Sequence, residues 1–320
     1  MKTLIIPCAG GDYLNGAPRY LAVHPDGKIL VRKCIDGLGM DLFDRIIIPI
    51  VKSDDEAFNA EASIREAFAE QQHMEVIKLP EYTSGPAETI YRTVISAGVT
   101  GSVAIKDSDN YLRPMEMKCG NFVAGLNLNE WDSDVYNLRN KSFLILNEQK
   151  QILDVFEKQL KSDVISVGLY GFAEASDFLF AYERLNDKSY PMPRLYISHI
   201  ISYLIGYSQK VFYYAPCVEY ENWGSSKEWN DVQKKYATYF VELDSLQMDA
   251  DTVQRLRKIQ SSGAVLIGFT ARSHEVGKSI RNSAAESGLH FSDIVCNCGF
   301  SNIKKILDSS RQLDNADIES

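Results

Sequence analysis

Two carboxylates one residue apart, Asp107 and Asp109, close the apolar run Val103-Ala-Ile105. Strand side chains alternate faces with a period of two, so both acids leave the strand end on the same side. Two anions that close repel each other unless positive charge sits between them. A hard divalent cation, Mg2+ or Mn2+, meets that need and commonly holds a phosphate-bearing substrate as well. The same residues also suit a polar turn after a strand, with Asp and Asn as turn formers. A second candidate lies near the start, where Ile5-Ile-Pro-Cys8 runs into Ala9, Gly10 and Gly11. A glycine-rich turn lets backbone N–H groups approach a phosphate. This one matches neither Gly-x-Gly-x-x-Gly nor the Walker motif and reads equally as a plain strand-to-loop junction.

Other chemistries find little support. The five histidines are scattered, without His-x-x-x-His or His-Glu-x-x-His spacing, and no Gly-x-Ser-x-Gly elbow is present. The six cysteines are dispersed among apolar segments, as expected of reduced core thiols. Cys296-Asn-Cys298 lacks the second pair that a zinc site needs. His199 lies in an apolar helical stretch and reads as a buried, satisfied histidine.

The elements that must position these residues follow from periodicity. Thr3–Cys8, Arg45–Val51, Glu75–Leu79 and Ser102–Lys106 read as strands, and Ile29–Leu38, Asp54–Gln71 and Pro86–Ala97 as helices. Pro86 suits a first helical position. This alternation predicts an α/β fold with a mixed, mostly parallel sheet and helices on both faces. Strands follow near 122–126, 142–147, 151–156, 164–170 and 211–214, with a helix over 196–205. The charged stretch 227–236 reads as a linker. A smaller α/β unit then begins, with strands at 238–244, 264–270 and 293–296 and helices at 252–262 and 273–287. The expected domains are therefore 1–236 and 237–320.

Composition narrows the partners. A formal net charge of −9 argues against a nucleic-acid binder, which would show a basic face. It leaves room for a small anionic substrate met by local cations. The longest apolar runs, such as Ile46–Val51, fall far short of the ~20 residues of a membrane span. The apolar stretch after Met1-Lys2-Thr3 is too short for a signal peptide, so a cytoplasmic location is expected.

The order of motifs resembles the nucleotide-sugar pyrophosphorylases, or sugar-phosphate nucleotidyltransferases. It is most similar to capsule-cluster proteins that fuse such a domain to a C-terminal haloacid-dehalogenase-like domain. The residues that carry this are Leu4-Ile-Ile-Pro-Cys-Ala-Gly10, Ala17-Pro-Arg-Tyr-Leu21, His24-Pro-Asp-Gly-Lys28, Ser84-Gly-Pro-Ala-Glu-Thr89 and Ile105-Lys-Asp-Ser-Asp-Asn110. Gly120-Asn-Phe-Val123, Lys141-Ser142, Tyr170-Gly-Phe172, Tyr196-Ile-Ser-His199 and Trp223-Gly-Ser225 continue it, so the resemblance spans almost the whole chain.

The resemblance implies a glycosyltransferase-A type fold for the first unit and a small Rossmann-like, haloacid-dehalogenase-like fold for the second. It also implies Mg2+-dependent transfer of a nucleotidyl group from an NTP to a sugar phosphate or similar acceptor, for surface polysaccharide synthesis. On this basis Asp107 and Asp109 would hold the metal, and Arg19 would neutralise phosphates. Ala9, Gly10, Gly11, Gly85 and Glu88 would contact the nucleotide, and Lys141 the acceptor phosphate. Several motif positions depart from the family. The segment Gly11–Asn15 offers no Arg for the triphosphate, and the family's Pro-Lys is Pro18-Arg19. Asn222 stands where a second metal-binding Asp is usual, with Glu219 or Glu221 as stand-ins. In the last unit, Glu242 replaces the nucleophilic Asp, Asp244 and Thr270 match the motif, Lys305 stands for the phosphate-binding base, and the late acidic pair is reduced to Asp308-Ser309. That unit is expected to be degenerate as a phosphatase and to serve in structure or homo-oligomer formation. Two alternatives to catalysis by the first unit stand beside it: a nucleotide or nucleotide-sugar binding or scaffold protein, and a glycosyltransferase.

Overall fold

The computed structural model describes residues 2–299, except 15, 72, 118, 132–136, 187–193, 245–248 and 262–263. Lys305 and Asp308 lie outside the described residues. The chain divides into two compact units, 1–225 and 226 onward.

The first unit is built on a ten-stranded mixed sheet. Along one half run four neighbouring parallel strands in the order Met74–Leu79, Arg45–Val51, Lys2–Ile5, Ser102–Lys106. The continuous apolar run Ile46–Val51 follows from burial on both faces, whereas the edge strand Met74–Leu79 exposes Glu75 and Lys78. Beyond Ser102–Lys106 come Val164–Phe172, Phe122–Asn127, Phe212–Asn222, Gln151–Glu157 and Ser142–Leu146, in which only the pairing of Phe122–Asn127 with Phe212–Asn222 is parallel. The principal core forms where helices Pro86–Ser96, Ala175–Leu185 and Ile197–Gly206 cover this sheet, with Ile90, Phe172, Phe178, Ile200 and Phe212 fully buried.

Four elements differ from the sequence reading. The expected helix 54–71 is two helices, Lys52–Phe58 and Ala60–Ala67, split at Asn59 in the left-handed conformation (φ 53°). Asn tolerates that conformation better than most residues. The helix Ala175–Leu185 and the strand Asn110–Pro114 were not anticipated; the strand exists by pairing with the end of the long strand Phe212–Asn222. The charged stretch read as a linker is the helix Ser226–Lys235, because Trp229 and Val232 share one helical face and are both buried.

The second unit carries three parallel strands, Thr238–Glu242, Val265–Phe269 and Asp293–Val295, in sequential order. Helices Ala250–Ser261 and His274–Glu286 connect them, around a small core of Val241, Leu266, Leu289 and Ile294. Among the described residues no helix is long and apolar enough to cross a membrane.

Candidate active site

The parallel half of the sheet fixes where a ligand can sit. From Lys2–Ile5 the chain winds outward to Arg45–Val51 and Met74–Leu79, then returns to place Ser102–Lys106 on the other side of the first strand. The strand order therefore reverses between Lys2–Ile5 and Ser102–Lys106. In open α/β sheets ligands bind outside the carboxyl ends of the strands at such a switch point. The segments leaving those two ends are Ala9–Gly11 and Asp107–Asn110. The Ser108 hydroxyl joins them by donating to the Pro7 carbonyl at 3.3 Å.

Close backbone approach shapes the acidic turn. Asp107 N–H donates to the Gly168 carbonyl at 2.8 Å. A methyl group on Gly168, whose φ is +85°, would lie 2.6 Å from Asp107 Oδ2 and 2.7 Å from Asn110 Nδ2. Only glycine leaves room for the carboxylate there. On the other side, the ladder between Asn110–Pro114 and the end of Phe212–Asn222 sets Asn222 opposite Asn110, and Trp223 N–H donates to the Asp109 carbonyl at 2.8 Å. A methyl on Gly224 would meet Asp109 Oδ2 at 2.7 Å and Asn222 Oδ1 at 3.4 Å. Asp109 and the Asn222 amide thus both lie beside Gly224, whose N–H donates to Asn222 Oδ1 at 3.3 Å. Glu219 and Glu221 are engaged elsewhere. Glu219 accepts from Tyr111 at 2.6 Å and pairs with Arg113, while Glu221 is 3.0 Å from His24 Nε2 and accepts from the indole of the fully buried Trp223 at 2.9 Å.

Burial, and then the neighbouring charge of Asp109, push the Asp107 carboxyl up to about 7. Its carboxylate takes no hydrogen bond among the described residues. Beneath the turn, Lys106 is completely buried and donates to the Asp107 carbonyl at 2.6 Å, the Asn110 carbonyl at 2.8 Å and Asn110 Oδ1 at 2.7 Å. Asn110 passes its other amide atom to Asp109, Nδ2 to Oδ1, at 3.2 Å. The sequence reading passed over Lys106 because a lysine at a strand end normally reaches solvent.

No cluster of three or more His, Cys, Asp or Glu residues forms a metal cage among the described residues. The donor set is two carboxylates and an amide oxygen. That suits Mg2+, which keeps several waters and is commonly held by one or two carboxylates plus substrate phosphates.

The remaining anticipated residues are placed as follows. The Ala9 carbonyl accepts from Thr83 N–H at 3.0 Å, the space beside Gly10 is open, and Gly11 (φ +68°) lies against the Tyr82 ring. Where a loop arginine was missed, the structure has an aromatic cluster on a buried carboxylate. Tyr13 and Tyr82 both donate to Asp54 Oδ1 at 2.5 Å, and Tyr20 donates to Oδ2 at 3.5 Å. Arg19 is buried. Its Nε donates to Asp12 Oδ2 at 2.5 Å, Nη2 to Asp12 Oδ1 at 3.3 Å, and Nη1 to the Trp223 carbonyl at 2.7 Å. Much of its fork is therefore already spent. Gly85 is extended (φ 171°), and its α-carbon packs on Arg194, whose Nε would be 2.9 Å from an added methyl. Glu88 caps its own helix by accepting from Ser84 N–H at 2.7 Å and Oγ at 2.6 Å, and pairs with Arg92 at 2.6 Å.

Lys141 donates to the Tyr220 hydroxyl at 2.8 Å, and its charge is among those felt by Asp107. Glu157, which no motif had flagged, belongs to the same neighbourhood. It accepts from Ser142 and Ser198 at 2.5 and 2.7 Å and acts electrostatically on Asp107. Beside it Lys158 donates to the Tyr196 hydroxyl at 2.7 Å. His199 Nδ1 accepts from Tyr196 N–H at 3.2 Å, and burial lowers its pKa.

In the second unit Asp244 sits at the carboxyl end of the three parallel strands. It accepts from the Thr270 hydroxyl at 2.5 Å and Ala271 N–H at 2.7 Å, and faces Arg272 at 3.3 Å. These bonds, Thr270 first, hold its carboxyl below the usual range. Glu242 Oε1 accepts from Asp244 N–H at 2.7 Å.

Solved structures with the same architecture are numerous. A nucleoside-diphosphate-sugar pyrophosphorylase from Vibrio cholerae superposes with a TM-score of 0.58 at 19% identity, over 72% of this chain and 98% of its own. Over that 72% the chain shares this structure's fold. A UDP-glucose pyrophosphorylase complexed with UDP-glucose matches with a TM-score of 0.55 at 13% identity, over 72% of this chain and 97% of its own. The inositol-1-phosphate CTP transferase of T. maritima matches with a TM-score of 0.54 at 11% identity, over 71% and 91%. No family model and no curated protein matches the sequence.

Proposed function

We propose that the first unit is a Mg2+-dependent nucleotidyltransferase that joins the α-phosphate of an NTP to a sugar phosphate or similar phosphorylated acceptor and releases pyrophosphate. The observation that carries this reading is the placing of Asp107 and Asp109, the latter beside the Asn222 amide, in the turn at the switch point of a sheet shared with pyrophosphorylase structures. Bound Mg2+ would neutralise phosphate charge as the pyrophosphate leaves. Asp107 and Asp109 would hold it, with Asn222 beside them. The open backbone at Gly10 leaves room for phosphate or ribose, and the Gly11–Tyr82 surface offers an apolar platform at the same strand ends. Lys141 and Lys158 would supply the cations, and Glu157 an acceptor, for a phosphorylated polyol or sugar. An acceptor phosphate oxygen attacks the α-phosphorus, and the bond to the β-phosphate oxygen breaks. Chemistry of this kind depends on positioning and charge, with little covalent work for side chains. A role in surface polysaccharide synthesis rests on the resemblance in motif order.

A second reading is favoured by one observation. Arg19 is already paired with Asp12, so the site has less free positive charge than a triphosphate calls for, and a nucleotide-sugar binding protein would need less. A thermal-shift panel of NTPs and nucleotide-sugars, with and without Mg2+, tests both. A ligand at 100 times its Kd stabilises by ~2.7 kcal/mol. Shifts with an NTP that need Mg2+ support the transferase. Shifts with a nucleotide-sugar alone, indifferent to Mg2+, support the binding protein, and no shift with any member of the panel would refute both.

A further inference from the structure

Lys106 ends a central strand of the sheet with no exposed surface at all, yet none of its three partners is a carboxylate. An ammonium group has three protons and no lone pair. Three oxygens, the carbonyls of Asp107 and Asn110 and the Asn110 side-chain oxygen, take all three protons at 2.6–2.8 Å. A neutral amine would turn its lone pair on one of these acceptors, so the geometry is that of the charged form. A buried charge demands compensation. The buried thiols Cys34 and Cys217 also act on Lys106, but burial pushes both up to about 12 and they carry no charge. Burial lowers the Lys106 pKa, and the ionisable carboxylates that oppose this are Asp107 and Asp109. Neither carboxylate bonds Lys106 directly, and Asn110 links Lys106 to Asp109, holding Lys106 through Oδ1 and Asp109 through Nδ2.

We infer that Lys106 is the resident cation of the site: it fixes the Asp107–Asn110 turn from beneath and cancels one of its two carboxylate charges, so that a divalent cation enters tightly only together with the phosphates of a nucleotide. This rests on the nucleotidyltransferase reading. Two carboxylates alone would attract a free divalent cation strongly. With a fixed ammonium behind them the turn, once both carboxylates are ionised, keeps a net charge of about one negative unit, by simple charge counting. The missing attraction and the missing ligands then come from phosphate oxygens. Such an arrangement ties metal entry to substrate entry.

The test uses the full chain and Mn2+ as the probe, alone and with inorganic triphosphate. Free Mn2+ is followed by electron paramagnetic resonance and the heats by calorimetry. In the wild type, Mn2+ should bind at least about tenfold more tightly with triphosphate than without it. Lys106→Gln keeps hydrogen-bonding atoms and removes the charge. At an effective dielectric of ~20, a unit charge several ångströms away is worth about tenfold or more in affinity, so this variant should bind Mn2+ alone at least about tenfold more tightly than the wild type. Lys106→Arg, which keeps the charge, should not. Unchanged or weaker Mn2+ binding by folded Lys106→Gln overturns the inference. If that variant does not fold, the wild type decides, because equal Mn2+ affinity with and without triphosphate overturns it too. A wild type that binds Mn2+ and triphosphate together, with no response to Lys106→Gln, overturns this inference and leaves the transferase reading standing. A wild type that binds neither removes both.

Discussion

Asp107→Asn should stabilise the metal-free protein at pH 8 while removing its response to Mg2+ and nucleotide. The Asp107 carboxyl is raised from 3.8 to about 7, by burial first and by Asp109 second. Because the folded-state value lies above the unfolded one, the protonated acid favours folding. That contribution is complete below about pH 4 and is lost as pH rises through about 7. A shift of about three units corresponds to ~4 kcal/mol at full effect, and about 2–4 kcal/mol allows for water at the partly open turn. Asparagine keeps the shape and carries no charge at any pH. For a unit of this size, that gap amounts to roughly 4–16 °C in Tm. The assay is thermal and urea unfolding of wild type and variant in EDTA at pH 5 and pH 8. The variant's advantage should be about 40% of its full value at pH 5 and near its full value at pH 8. With Mg2+ and a binding nucleotide the order reverses, since the same proton competes with the metal and only the wild type gains. An advantage that is equal at the two pH values, or a variant less stable than wild type at pH 8, would refute the electrostatic reasoning.

Three further outcomes follow from the same geometry. Gly168→Ala puts a methyl 2.6 Å from Asp107 Oδ2 on a backbone with φ +85°, so Mg2+-dependent nucleotide binding should fall at least about tenfold with a stability loss of ~1–3 kcal/mol, read by calorimetry and urea melts; wild-type affinity would contradict the assigned contact. Asn222→Asp adds a carboxylate beside Asp109 and should tighten Mn2+ binding about tenfold and raise pyrophosphate release, whereas weaker Mn2+ binding would place Asn222 outside the metal's reach. The second unit should hydrolyse no phosphate monoester between pH 5 and 9, because Glu242 carries its carboxylate one methylene further than an aspartate would, and displacement by about 1 Å costs ~10²-fold; p-nitrophenyl phosphate turnover abolished by Asp244→Asn would contradict this.

Much of this was legible in the sequence where one residue type had one consequence. The apolar runs at 45–51 and 102–106 could only be buried parallel strands, and the acids after the second run had to emerge at its end. Pro86 fixed a helix start. What stayed hidden depended on partners distant in sequence. Asn110–Pro114 has no strand pattern of its own and becomes a strand only against Glu219–Asn222. Arg19 reads as a free cation until Asp12 is seen on its fork. Lys106 looks like a surface residue until three oxygens of the following turn close over it. The clustering of Tyr13, Tyr20 and Tyr82 on Asp54 joins four segments that no local spacing connects.

The central claim is nucleotidyl transfer at the Asp107–Asp109 turn, and pyrophosphate release tests it most directly. The full chain is incubated with each NTP, Mg2+ and a panel of sugar and polyol phosphates, and pyrophosphate is quantified alongside the nucleotide-linked product. Equimolar pyrophosphate and product should form, require NTP, acceptor and Mg2+ together, and be lost in Asp107→Asn. Tight binding of a nucleotide-sugar with no pyrophosphate formed from any pair, or turnover that persists in Asp107→Asn, would contradict it.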